Sequence, residues 1–211
     1  TKRALRRGLE NPLERNDWVN ETRDEALSLL AAVGADMASV QRLWESLGEE
    51  YFLQYAPSEI AWQTQGILAH GGSSLPLILI SAPAEDMAEG GTKVFIHTRS
   101  VDDLFAATAA ALDQLGLSIH DARIATSSND WTLNTFIVLD DQGQAIRDPA
   151  RIEEIQAHLV EELDDPDDYP EIVTRHTPRQ LRHFRVPTEV IIEQDPANER
   201  TLLELIAPDR P

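Results

Sequence analysis

The chain has 211 residues, no cysteine, 42% hydrophobic residues and a formal net charge of −19. That length holds one large domain or two small ones, and the lack of cysteine excludes disulfide frameworks and thiolate metal sites and fits a reducing cytoplasm. The negative surface repels phosphate backbones and anionic lipid; no run approaches the ~18 apolar residues of a spanning helix, and the four positive charges among the first seven residues precede no apolar signal segment.

In chain order, residues 17 to about 70 read as three helices. "NETRDEALSLLAAVG" has Thr22 and Glu25 at capping-box spacing, an apolar stripe through Ala26, Leu29, Leu30 and Val33, and Gly34 as a stop. "DMASVQRLWESLGEEYF" repeats the pattern, and "PSEIAWQTQGILAHGG" opens at Pro57 and Ser58 and stops at Gly71 and Gly72. The segment is acidic and presents no basic recognition helix. Beyond the glycines the period changes to that of strands: "LPLILIS", then "KVFIHT" (Lys93 to Thr98). "VDDLFAATAAALDQLG" is an amphipathic helix, and "LSIHDARIAT" and "WTLNTFIVLDD" flank a hairpin turn at Ser127 to Asp130. A second helix runs through Ile152, Ile155, Leu159 and Leu163, and "TEVIIEQD" is a strand. Between them lie the acidic run Glu161 to Glu171 and the basic stretch "RHTPRQLRHFR" (Arg175 to Arg185), read as a solvated linker of compensating charge. Lys93 to Asp195 thus spell βαββαβ, the ferredoxin-like order, in an α+β chain. Strict alternation lets either Phe136 and Val138, or Leu133, Ile137 and Leu139, face the helices, with the other face free to meet another sheet.

"LGLSIHDARIATSSNDWTLNTFIVLDDQG" is similar to the central hairpin of ACT domains, small regulatory modules of this order, with Asn134 where an Asp is common. "TKRALRRG", "YFLQYAPSEIAWQTQGILAH", "FAATAAALDQLGLSIHDARI" and "RHFRVPTEV" together resemble the C-terminal part of the bifunctional uridylyltransferase/uridylyl-removing enzymes, bacterial nitrogen sensors that modify PII signalling proteins. The resemblance implies three parts: a helical segment over residues 1–72, with the tail of an HD-type region; a first ACT-like domain over 73–198; and, over 199–211, the first strand of a second ACT domain cut short. It implies a regulatory C-terminal fragment, with glutamine as effector, PII as protein partner, ACT–ACT pairing, and magnesium for the parent's nucleotidyl transfer. An alternative reading is a non-enzymatic scaffold with a ferredoxin-like domain and an acidic surface.

The chain itself offers no catalytic constellation. His120 and Asp121 spell the dyad of HD phosphohydrolases, but adjacent strand residues point to opposite faces, and six scattered histidines make no ligand set. Gly72 and Ser73 resemble a nucleotidyltransferase turn without its paired carboxylates, Glu85 to Met87 lying in a loop. ACT modules that bind amino acids do so at the loop between first strand and first helix, where a Gly lets backbone amides approach a carboxylate. Here that loop is "HTRSVDD" (His97 to Asp103), and Asp103 replaces the Gly. In the second module the effector-binding candidates are Asp209, Arg210 and Pro211, and without the Gly that would follow them tight glutamine binding is not expected. The apolar strand "TLLELIA" (Thr201 to Ala207) is expected to pair with an edge of the first module or of a neighbouring chain.

Overall fold

The computed structural model describes residues 12–83, 90–165, 189–195 and 200–206. Among the described residues four helices precede the sheet: α1 (Pro12–Ala32), α2 (Met37–Glu45), α3 (Glu49–Gln54) and α4 (Pro57–His70). Helix α1 starts ten residues before the expected cap, and Thr22 is buried inside it. No Gly or second Pro interrupts the helix after Pro12, and Val19, Ala26 and Leu30 line up at helical spacing on one buried stripe. Asp36 caps α2, accepting from the Ala38 and Ser39 amides.

The second expected helix is two, broken where the Ser46 hydroxyl donates to the Leu43 carbonyl at 2.7 Å. The break frees the Ser46 carbonyl, which accepts from the Ser128 amide at 2.8 Å in the turn between two strands. Helix α4 has Pro57 at its first position, and Glu59 reaches back to the Ala56 amide. It ends at Gly71, whose φ of 65° is cheap only for glycine.

The sheet holds β1 (Leu77–Ser81), β2 (Thr92–Arg99), β3 (Ser118–Thr126) and β4 (Trp131–Leu139) in the order β1-β2-β4-β3, every neighbouring pair antiparallel. Helix α5 (Leu104–Gln114) connects β2 to β3, and β4 inserts between them as in a split βαβ unit; α6 (Pro149–Asp164) follows β4. The ferredoxin-like sheet is present, but its fourth place is filled differently from the βαββαβ reading. Next to β2 lies β1, from before the module's first strand, whereas β5 (Glu189–Asp195) pairs with β6 (Arg200–Ile206) in a separate two-stranded sheet. A strand joined to β2 through the residues between Ser81 and Thr92 closes a shorter loop than one arriving after Asp164. Leu77 to Ile80 are also apolar on both sides, as a sheet covered on both faces requires.

Both faces are covered. Ile78, Val94, Ile96, Phe136 and Val138 form one buried cluster with α5 and α6; Leu77, Phe95 and Leu133 form another with α1 to α4. The first of the two alternative sets therefore faces α5 and α6. The expectation that the opposite face is free is corrected: the N-terminal helices occupy it, with Tyr51 and Phe52 at the centre of their aromatic cluster. In α4 Gly66 packs against the Leu79 side chain, which a Cβ there would push aside. The chain divides into two compact units between Ile172 and Val173.

Candidate functional site

The loop between β2 and α5, which the resemblance to ACT modules implies as an effector loop, leaves β2 at Arg99. The Ser100 amide donates to the Asp130 carbonyl at 2.8 Å, tying the loop to the β3–β4 turn. Asp103 then adopts φ 59° and ψ 4°, a left-handed conformation that glycine takes without strain, and it precedes α5 without a side-chain capping bond. An acidic side chain thus occupies a left-handed position of the kind that favours glycine. A carboxylate ligand approaching the α5 N-terminus would meet this charge, which opposes what the helix end attracts.

The HD-like pair is placed by a β-bulge between Ile119 and Asp121. His120 is exposed, and the Asp121 carboxylate pairs with Arg123 at 3.4 Å. Ser73 completes the turn after α4, its amide donating to the His70 carbonyl and its hydroxyl accepting from Leu75. Among the described residues no three His, Asp or Glu side chains converge as a candidate metal site. Glu85 to Met87, Arg175 to Arg185 and the candidates Asp209, Arg210 and Pro211 lie outside the described residues.

The polar feature that the sequence reading missed is the seam between the helices and the sheet. Glu59, in the first turn of α4, meets Lys93 of β2 at 2.7 Å and Arg123 of β3 at 3.7 Å. Arg123 lies over the Tyr55 ring, 5.6 Å from its centroid. Deeper in, the Tyr51 hydroxyl donates to Gln63 Oε1 at 2.7 Å, and Gln63 Nε2 donates to Thr135 Oγ1 at 3.3 Å. Trp44 Nε1 donates to Thr64 Oγ1 at 3.0 Å. Burial pushes the Tyr55 hydroxyl up to about 12, against the lowering effects of a Thr135 hydrogen bond and the Arg123 charge, and burial with the nearby Tyr55 and Glu59 raises that of Tyr51 well above its ordinary value. Both tyrosines therefore stay protonated as donors, and the chain of bonds is a fastening rather than an acid–base relay. Its signal in the sequence was Gln63 and Thr64 beside Ile60 and Ala61, polar residues on a helix face that is buried throughout. Above it, Trp18, Thr22, Tyr55, Glu59, Arg123 and Ile124 help to line an open cleft of about 500 Å³.

Residues 14–66 match the family model described as the fifth domain of uridylyltransferase GlnD. Over 212 aligned residues the chain is 48% identical to the bifunctional uridylyltransferase/uridylyl-removing enzyme of Ectopseudomonas mendocina (strain ymp), and 49% identical to that of Azotobacter vinelandii (strain DJ). The corresponding enzyme of Pseudomonas putida (strain F1) is 48% identical. Each alignment covers 100% of this chain and 24% of the relative, so the chain spans about a quarter of the length of the curated relatives it matches. No solved structure matches it.

Proposed function

As a relative, along its entire length, of the bifunctional uridylyltransferase/uridylyl-removing enzymes, the chain, we propose, is a regulatory part of such an enzyme: it conveys the glutamine state of the cell to centres that attach UMP to PII signalling protein and remove it. The observation that supports this most is the shared core of helices and sheet. Within the fifth-domain match Tyr51 is bonded to Gln63, and Gln63 to Thr135 of β4 in the ACT-like sheet, so effector-driven movement of the sheet would move the helices with it. Because Asp103 stands at the Gly position of the effector loop, this module transmits the signal rather than holding glutamine itself. The active centres, their magnesium and the second ACT module belong to the rest of the enzyme, which works in the cytoplasm, and ACT–ACT pairing joins the modules.

The test uses an enzyme of this family carrying residues 1–211, with glutamine titrated against UMP transfer to PII and UMP removal. Replacing Gln63 by Leu together with Thr135 by Val should leave both basal rates near those of the unaltered enzyme and shift the glutamine midpoint at least threefold. An unchanged midpoint in a folded variant would overturn the reading. The 211-residue chain alone should neither transfer nor remove UMP, and turnover of either kind would place a catalytic centre within it.

A further inference from the structure

On the helix-facing side of β2 and β4, away from α5 and α6, a pocket of about 240 Å³ opens between α2, α4 and the β3–β4 turn. Leu43, Leu47, Ile67 and Leu133 give it apolar walls, and His97 and Ser127 give it polar ones. No Asp, Glu, Lys or Arg lines it. His97 is 8% exposed, and its ring lies flat against Trp131 with centroids 4.7 Å apart. The other polar groups of the wall are committed. His70 Nε2 bonds to the Leu75 carbonyl at 2.8 Å, and the Ser127 hydroxyl bonds to Asn129 and to the Trp131 carbonyl. His97 Nδ1 alone among the polar side-chain atoms of this wall is buried without a hydrogen bond. A buried polar atom left unpaired gives up its hydration without compensation, and few buried polar groups in folded proteins stay without a partner.

We propose that this pocket is a binding site for a small uncharged molecule with an apolar body and a neutral hydrogen-bonding head such as a carboxamide, the head pairing with His97. A charged ligand would give up its hydration with no opposite charge in the wall to replace it. Burial holds His97 neutral, lowering its pKa to about 4 with a smaller contribution from His70, so it keeps one nitrogen to accept and one to donate. The volume lies below the ~300–1,000 Å³ of pockets for drug-sized ligands, which limits the occupant to a small one. The same β3–β4 turn that borders the pocket also holds the Ser100 loop through Asp130, so an occupant would lean on that loop.

The probes are benzamide and benzoate, of one shape but different charge, titrated into the isotope-labelled 211-residue chain at pH 7. Benzamide should move the His97 imidazole and Trp131 indole resonances and leave those of His120 in place, and benzoate should bind at least tenfold more weakly. Ile67→Phe, which fills the pocket from α4, should abolish the benzamide response while the remaining spectrum stays folded. The assignment is overturned if neither probe moves His97, as with a pocket that holds only water, if benzoate matches benzamide, or if the shifts map to another face. A misfolded Ile67→Phe chain would leave the comparison of the two probes on the unaltered chain to decide.

Discussion

His97 couples one imidazole to the stability of the whole helix–sheet seam. In the unfolded chain it has an ordinary value near 6.5, and in the folded chain about 4. Because the folded value is depressed, the unfolded state binds the extra proton in between. The stability is therefore complete above pH 6.5 and declines as pH falls toward 4, by up to roughly 3 kcal/mol. The groups around the ring do not offset this: His70 faces it from α4, and Arg99 stacks on Trp131 at 4.9 Å. Urea unfolding at pH 7 and pH 4.5 should show the loss, and His97→Gln should flatten it. Asp103 makes a second test at this scale. Asp103→Gly should stabilise the chain by roughly 0.5 kcal/mol by relieving a left-handed residue, and Asp103→Val should destabilise it by more than about 1 kcal/mol. If both changes act alike, the backbone assignment there is wrong.

At the scale of elements, the hairpin of β3 and β4, its turn at Ser127 to Asp130 and the helices α5 and α6 were all legible, because each is written in a local period with its own stop signals. What eluded the sequence was competition between distant segments. "LILIS" and "EVIIEQD" are both acceptable strands, and nothing local says which one lies beside β2. The cover on the second face was equally hidden, since Leu133 and Phe95 look the same whether they meet a helix or a sheet. The covered face has a direct test. Leu133→Ala should cost about 2–5 kcal/mol, comparable with about 3–5 kcal/mol for Phe136→Ala on the other face, whereas a free face would leave Leu133→Ala within about 0.5 kcal/mol. Gly66→Ala should cost about 1–3 kcal/mol by pushing Leu79 off its site, and part of that should return in the double variant with Leu79→Ala. Of the candidate site, Asp103 was legible through the Gly pattern it breaks. The seam was not, because Glu59, Lys93 and Arg123 are brought together only by the fold.

At the scale of the molecule, the two compact units give a third kind of prediction. If β1 fills the fourth place of the sheet, deleting residues 173–211 removes nothing from the first unit. The shortened chain should unfold within about 0.5 kcal/mol of the longer one when followed through tryptophan fluorescence, and the amides of β2 should keep their protection from exchange. A large loss would mean that β5 belongs to that sheet after all.

The place of β1 has a mechanical consequence. Starting one strand early turns βαββαβ into a cyclic permutation, ββαββα, with the same sheet and a different point of exit. The chain leaves this module from the end of α6 instead of from a hydrogen-bonded strand. Tension on the polypeptide beyond Asp164 would first fray a helix terminus, which opens one turn at a time. A terminal strand in the sheet would instead have to be unzipped or sheared from β2 along its length. On the other side the module is tied through α4 and β1 to helices that share its core, so a displacement of the sheet passes to the preceding helices.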